Sequence, residues 1–147
     1  MQKAKIKFGI FRGKRVIKIE NKIEFVLPLK VDSKLSLNSI YSGKKWYTRQ
    51  NQASKIHQLV RLELINQRVP KKLFENPARI EFYWNSLLDL DNHGYLTKLI
   101  IDGLKGYLIR DDSKKYIEKI THSYWLDKGV KIRIFESEEL FDDGNKK

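Results

Sequence analysis

Apolar residues in this chain recur with two different periods, and the order of these periods limits the folds that it can adopt. In residues 78–84, A-R-I-E-F-Y-W, every second side chain is apolar, and residues 130–136, V-K-I-R-I-F-E, predict a last strand. Between these segments, four apolar residues recur at helical spacing: Leu96, Leu99, Ile100 and Leu104. Strands interrupted by a helix in this way favour an α+β domain.

Other patterns predict the remaining elements. Residues 14–29 predict two strands around a polar turn, and residues 52–66 predict a helix with Asn51 as its N-cap. The turn signal D-K-G at 127–129 predicts that a strand over residues 115–125 forms a hairpin with the last strand. The expected architecture is therefore a single compact α+β domain with a mixed β-sheet and two main helices.

The composition limits the class of protein. The chain has 147 residues, which suits one domain with a real core, and 41% of its residues are hydrophobic. It contains no cysteine, so disulfides, zinc–thiolate clusters and thiol nucleophiles are excluded. Its apolar runs are short, and its first residues, M-Q-K-A-K-I-K-F, lack the apolar core of a signal peptide. We therefore expect a soluble cytoplasmic protein without a membrane segment.

Positive charge is concentrated in the first half of the chain. The formal net charge is +12, of which residues 1–80 carry +14 and residues 81–147 carry −2. A basic surface attracts polyanions, and nucleic acid is the partner that this charge favours. Solvated lysine-rich faces of ordinary proteins give the same signal, so the charge alone does not identify the partner.

Four aspartates lie close together in the second half of the chain: Asp89, Asp91, Asp111 and Asp112. Asp89 and Asp91 alternate around Leu90, so in an extended segment both carboxylates leave the same face. The second pair follows the predicted helix, where the chain turns back toward the sheet. Oxygen ligands without cysteine select hard ions, which indicates Mg²⁺ or Mn²⁺. Each pair alone is more typical of a cap or a loop, but together they favour a metal site.

Lys98 lies four residues before Asp102 on the predicted helix. This spacing is typical of a surface ion pair, which is worth roughly 0.3–0.5 kcal/mol. Alternatively, Lys98 faces Asp91 and stabilises the negative charge that develops on a phosphate. From the spacing alone, the ion pair is the preferred interpretation.

Aromatic and basic side chains alternate in residues 40–50, I-Y-S-G-K-K-W-Y-T-R-Q, within a polar loop predicted over residues 30–50. Rings of this kind stack on bases while the cations hold phosphates. Trp46 is explained nearly as well by packing onto the core. The residues that we expect to contact DNA are Lys30, Lys34, Tyr41, Lys44, Lys45 and Arg49.

The acidic motifs follow a recognisable order. D-L-D-N at 89–92 precedes a helix that carries Lys98 and then D-G-L, followed by a glycine and by D-D-S at 111–113. This order resembles the signature of RusA-type Holliday junction resolvases, a family common in bacteriophages and prophages.

The resemblance extends over most of the chain. Upstream of the acidic motifs, V-L-P-L and a polar loop with Asn38 and Tyr41 resemble the family's first strand and its Pro/Ser/Asn/Tyr loop. The similar region is residues 23–136, which would form the endonuclease domain. Residues 1–22 would be an N-terminal extension or an extra strand, and residues 137–147 an acidic flexible tail.

The resemblance implies a Mg²⁺-dependent endodeoxyribonuclease that acts as a homodimer. Such an enzyme resolves four-way and branched DNA by paired symmetric nicks in DNA recombination and repair. Its catalytic and metal-binding carboxylates would be Asp89, Asp91 and Asp112, and its essential lysine would be Lys98. Asp111 becomes a possible helper, and Asn38 joins the residues that we expect to contact DNA.

One departure from the family pattern keeps alternatives open. The family places its lysine about one helical turn after D-x-D-N, whereas Lys98 lies seven residues beyond Asp91. An insertion of nearly one turn near residues 93–95 accounts for this, and two turns keep roughly the same helix face. A non-catalytic branched-DNA-binding protein on the same fold is the main alternative. A metal-dependent enzyme acting on free nucleotides is another, but it leaves the basic first half unexplained.

Overall fold

The computed structural model describes residues 5–11, 14–20, 22–32 and 46–137, and the side chains of residues 22–32 and 48–137. The strands and α-helices occur along the chain in this order: β1 (Lys5–Phe11), β2 (Lys14–Glu20), β3 (Lys22–Leu27), α1 (Trp46–Asn66), β4 (Ala78–Trp84), α2 (Gly94–Leu104), β5 (Ile117–Tyr124) and β6 (Val130–Glu136). A short 3₁₀ helix, Leu90–His93, lies between β4 and α2.

β4 lies inside a mixed four-stranded sheet of order β3-β6-β4-β5. It pairs antiparallel to β6 and parallel to β5, while β3 pairs antiparallel to β6. Parallel neighbours need a crossover connection, and the segment containing α2 provides it between β4 and β5. The predicted α+β domain with a mixed sheet and two main helices is confirmed.

The predicted hairpin between residues 115–125 and the last strand is wrong. β5 and β6 lie on opposite sides of β4, so they are not neighbours in the sheet. The D-K-G segment still lies at the reversal between β5 and β6. Gly129 is required there, because its φ is +86° and a Cβ would collide with the Leu27 carbonyl. The two strands predicted over residues 14–29 are present, but β2 pairs with β1 and β3 pairs with β6.

α1 begins at Trp46, earlier than predicted, so residues 46–50 belong to the helix and not to the end of the predicted 30–50 loop. Asn51 lies inside this helix, and its prediction as the N-cap is wrong. Residues 46–50, W-Y-T-R-Q, contain neither glycine nor proline, so no residue type in them interrupts a helix. The predicted end of the helix at Asn66 is confirmed.

α1 and α2 approach each other closely at Gly103. A Cβ at this position would lie 2.9 Å from Cβ of Val60, so only glycine permits the contact. The guanidinium of Arg61 donates a hydrogen bond to the Gly103 carbonyl at 2.7 Å and another to the Lys105 carbonyl. These bonds satisfy carbonyl groups at the C-terminal end of α2, where a cation is favourable. α1 thereby fixes the end of α2 beside the acidic residues that follow it.

The hydrophobic core combines residues from the sheet and both helices. Phe25 of β3, Leu64 of α1, Trp84 of β4 and Ile100 of α2 are among its fully buried side chains. Gln67, just after α1, binds the backbone of Val26 with both its amide oxygen and its amide nitrogen. Within the described part of the chain, no helix is long and apolar enough to cross a membrane.

Candidate functional site

The D-L-D-N motif lies in a turn between β4 and α2. Asp89 is extended, with φ −63° and ψ 153°, and the 3₁₀ helix begins directly after it. Asp91 is therefore inside a helical turn, and β4 ends well before it at Trp84. The extended geometry expected for Asp89 and Asp91 is wrong, because the turn into α2 already begins between them. Both side chains are exposed.

His93 anchors this turn to the core. Its side chain is fully buried, and its ring stacks on Trp84 with the ring centroids 4.3 Å apart. Its Nδ1 lies 3.1 Å from the Leu90 carbonyl oxygen, and its Nε2 lies 3.0 Å from Oγ of Ser86. One ring therefore joins the loop after β4 to the carbonyl between the two aspartates. The backbone that carries Asp89 and Asp91 is held by buried contacts.

The neighbours of His93 define its protonation. The Leu90 carbonyl can only accept a hydrogen bond, so Nδ1 carries the proton. Ser86 Oγ accepts from the Leu88 backbone N–H at 2.9 Å, which leaves the hydroxyl hydrogen free to donate to Nε2. Burial lowers the pKa of His93, although its backbone hydrogen bonds oppose this shift. The arrangement favours a neutral imidazole with the proton on Nδ1.

His122 of β5 extends the aromatic cluster beneath the turn. Trp84 donates a hydrogen bond from Nε1 to Nδ1 of His122 at 3.0 Å, so this nitrogen must be unprotonated. Phe82 also stacks on His122, with ring centroids 5.6 Å apart. Burial lowers the pKa of His122, and the proximity of His93 lowers it further. Two neutral histidines therefore flank Trp84 under the D-L-D-N turn.

A second cluster, formed by three aspartates and two lysines, lies at the end of α2. Lys98 Nζ is 3.7 Å from Asp102 Oδ2 and 3.9 Å from Asp112 Oδ2. Lys105 Nζ lies 3.2 Å from Asp102, 3.9 Å from Asp111 and 3.7 Å from Asp112. The predicted ion pair between Lys98 and Asp102 is confirmed. The return of the chain after α2 also brings Asp112 to the same lysine.

Asp111 and Asp112 differ in the cations that they contact. Asp112 is within ion-pair distance of both Lys98 and Lys105, whereas Asp111 pairs with Lys105. The hydrogen bond with Asp102 raises the pKa of Lys105, which secures its positive charge. Sequence reasoning did not single out Lys105. Its position three residues after Asp102 is the signal that could have found it.

Asp89 and Asp91 contrast with this second cluster. Among the residues that the structure describes, no lysine or arginine forms an ion pair with either carboxylate. The described residues also contain no group of three or more His, Asp or Glu side chains placed to hold a metal ion. An oxygen-only donor set still suits Mg²⁺, which commonly uses one or two carboxylates and takes its other ligands from water and substrate phosphates.

The residues expected to contact DNA are only partly described. Lys30 follows β3 and is exposed. Arg49 is half-buried and lies on α1, not in the predicted loop, because the helix begins at Trp46. Its Nε has no hydrogen-bond partner among the described residues. The other predicted DNA contacts lie outside the described residues: Lys34, Asn38, Tyr41, Lys44 and Lys45.

Comparisons with models of known protein families and with the sequences of curated proteins gave no match. A proposal about function therefore depends on the residues themselves and on the contacts described above.

Proposed function

We propose that this protein is a Mg²⁺-dependent endodeoxyribonuclease of the RusA type that resolves four-way and branched DNA. The observation that carries the proposal is the contact between Lys98 and Asp112, whose side chains lie 3.9 Å apart. In the series of motifs that resembles the RusA type, Lys98 is the lysine of the helix and Asp112 belongs to the second acidic motif, D-D-S. The buried anchoring of the D-L-D-N turn by His93 adds support, since catalytic carboxylates need a fixed backbone.

The proposal assigns a role to each motif residue. Asp89, Asp91 and Asp112 would hold Mg²⁺, with Mn²⁺ as a possible substitute. Because no three such side chains are placed to hold a metal ion among the described residues, these carboxylates would have to move toward the ion when it binds. When bound, the metal activates a water molecule and stabilises charge on the phosphate. The side chain of Lys98 is 66% exposed, so its ammonium group can contact a phosphate oxygen and stabilise developing negative charge. Asp111 would be a helper that pairs with Lys105.

The proposed substrate follows from the charge distribution. Residues 1–80, with a net charge of +14, would bind the phosphate backbone of the DNA. The carboxylates of the second half would hold the metal ion that cleavage requires. A homodimer would bring two such sites to one junction and make paired cuts on opposing strands.

A non-catalytic branched-DNA-binding protein is the second candidate, and one observation favours it. Asp112 lies 3.7 Å from the ammonium group of Lys105, a second cation beside Lys98 that the nuclease proposal does not need. Two ammonium groups that neutralise a carboxylate occupy the place where a metal-binding enzyme would keep that carboxylate available. In this case the protein would bind junctions without cutting them.

Incubation with DNA separates these candidates. The purified protein is mixed with a synthetic four-way junction or a linear duplex in Mg²⁺, beside the Asp91→Asn variant. The nuclease predicts paired symmetric nicks in the junction, which Asp91→Asn abolishes while junction binding remains. Asp127→Asn is the matched control, since Asp127 is an exposed aspartate in the turn before β6 and should cut like the wild type.

The other outcomes are equally informative. Tight junction binding without cuts, in Mg²⁺ and in Mn²⁺, would support the binding protein. Failure to bind any DNA at moderate salt would overturn both candidates. Hydrolysis of free nucleotides without DNA binding would support the metal-dependent nucleotide enzyme instead.

A further inference from the structure

A cavity of about 620 Å³ lies between the end of β3, the loop after β4 and the turn before β6. Its volume falls within the range of about 300–1,000 Å³ that is typical of small-molecule and cofactor sites. Apolar side chains, including Val26 and Leu29, line much of it. The cavity is therefore large enough and apolar enough to accommodate a planar ring.

The polar groups around the cavity favour an anion. Lys30 and Lys128 both line it and are exposed, and no acidic side chain is among its described lining residues. Asn85 also lines it and donates from its side-chain nitrogen to the carbonyls of Leu126 and Asp127. Neither hydrogen bond uses the side-chain oxygen of Asn85. The cavity thus combines two cations with a hydrogen-bond acceptor.

Leu87 at the cavity is fully exposed, with a relative accessibility of 103%. A leucine left in water forgoes the stabilisation that its burial would supply. On DNA-binding surfaces, exposed apolar side chains insert between base steps and partly unstack them. Leu87 therefore offers an unstacked base an apolar contact at the cavity.

The cavity adjoins the proposed cleavage site. Ser86 and Leu87 line it, and two residues of chain from Leu87 to Asp89 span at most about 7 Å. Ser86 Oγ also lies 3.0 Å from Nε2 of His93, so the same buried ring fixes the cavity wall and the D-L-D-N turn. A nucleotide whose base enters the cavity would place its backbone near Asp89.

We infer that this cavity binds an unpaired nucleobase of branched DNA, with the adjoining phosphates on Lys30 and Lys128. The inference rests on the proposed function and deepens it by naming the substrate feature that the protein recognises. The apolar side chains cover the faces of the base, and the Asn85 oxygen accepts a hydrogen bond from an exocyclic amino group. Extrusion of a base requires unpairing and unstacking, and a base that is already unpaired avoids this cost. The protein should therefore prefer junctions that carry one.

Three junctions test this preference in EDTA, where no cleavage occurs. One is fully paired, one has an extra cytidine at the branch point, and one has an extra abasic nucleotide there. The wild-type protein should bind the junction with the extra cytidine about tenfold more tightly than the other two, because only that junction supplies an unpaired base whose apolar faces the cavity can cover. The abasic junction separates contact with the base from added flexibility of the branch.

Two pairs of variants assign the preference to the cavity. Leu87→Ala should reduce it to within about twofold, since it removes the apolar contact to the base. Lys128→Glu should instead weaken the binding of all three junctions, since Lys128 contacts phosphates that all three carry. Lys119→Glu and Leu126→Ala are the matched controls and should keep the preference and the affinity: Lys119 is an exposed lysine of β5, and Leu126 is 97% exposed, yet neither lines the cavity. All four positions are exposed, so the variants should fold like the wild type.

Failure of the inference can be told apart from failure of the proposed function. If no junction is bound, the proposed function is wrong and the inference is wrong with it. If all three junctions are bound equally, or the abasic junction gains as much as the cytidine junction, the inference alone is overturned. It is also overturned if Leu87→Ala changes the sedimentation of the DNA-free protein and leaves the base preference intact, because the cavity would then belong to a protein contact.

Discussion

The two acidic segments of this chain use the same residue type in opposite electrostatic environments. Asp89 and Asp91 are exposed, and within the described ranges neither pairs with a lysine or an arginine. Of the carboxylates after α2, Asp112 instead pairs with both Lys98 and Lys105, and Asp111 pairs with Lys105. The first segment leaves its negative charge available, whereas the second has already neutralised much of its own.

The two segments also differ in what holds them. The first is fixed through its backbone by the buried ring of His93, which contacts Ser86, Leu90 and Trp84. The second is held by partly exposed ion pairs, which water and salt weaken. Buried contacts are costly to break and exposed pairs are not. Substitutions in the two segments should therefore separate effects on stability from effects on activity.

The largest expected effect is on the rate of DNA cleavage, and it should differ between the adjacent residues Asp111 and Asp112. Asp112→Asn should reduce the rate of junction cleavage in Mg²⁺ about 10²–10³-fold, because a metal supplies several kcal/mol of charge stabilisation. Asp111→Asn should reduce it no more than about fivefold, since an exposed ion pair is worth at most about 1 kcal/mol. Single-turnover cleavage of a labelled junction measures both rates. Equal losses for the two variants would contradict the roles assigned to them.

The next largest effect is on stability. His93→Ala should lower the free energy of unfolding by about 3 kcal/mol, because it removes a fully buried stacked ring and two hydrogen bonds. His57→Ala is the control: its half-buried ring has a buried Nε2 without a hydrogen-bond partner among the described residues, so the loss should stay below about 1 kcal/mol. Urea unfolding followed by tryptophan fluorescence measures the difference. Similar losses would show that the ring of His93 does not anchor the turn.

The aromatic cluster beneath the first segment also predicts a dependence on pH. Burial lowers the pKa of His122 in the folded state, so the unfolded chain binds more protons as the pH falls below the ordinary value of 6.5. Stability is thus fully present above that pH and decreases below it, by at most about 1.4 kcal/mol per pH unit for this residue. Protonation of Nδ1 would also break the hydrogen bond from Trp84.

His122→Asn tests this assignment. The asparagine oxygen can accept the hydrogen bond from Trp84 but does not titrate. Urea unfolding at pH 7.5 and pH 5.5 should therefore show a smaller decrease in stability for the variant than for the wild type. An identical decrease would assign the pH dependence to other groups, of which His93 is the first, because burial lowers its pKa as well.

The smallest effect concerns the exposed cluster. Lys105→Gln should lower the free energy of unfolding by about 0.5–1 kcal/mol at low salt and by less at high salt, because it removes ion pairs with three aspartates. Lys119→Gln should have no measurable effect, since no described ion pair involves this exposed lysine. Thermal unfolding at two salt concentrations measures both. A loss that does not change with salt would indicate that Lys105 stabilises the protein through packing.

The sequence determined the fold class and most of the elements, because these depend on patterns within short segments. Period-two apolar runs correctly predicted β4 and β6, and helical spacing correctly predicted α2. The i, i+4 pair of Lys98 and Asp102 is equally local, since one helical turn fixes their separation.

Only the tertiary structure decided which distant segments meet. Strand patterns do not specify a partner, and β4 lies between β5 and β6 where the sequence predicted a hairpin. The burial of His93 against Trp84, and the arrival of Lys105 and Asp112 at one cluster, also depend on contacts between elements. Residue types and periods are properties of a segment, whereas pairing and burial are properties of the packed chain. This is why the acidic motifs were visible in the sequence but their opposite environments were not.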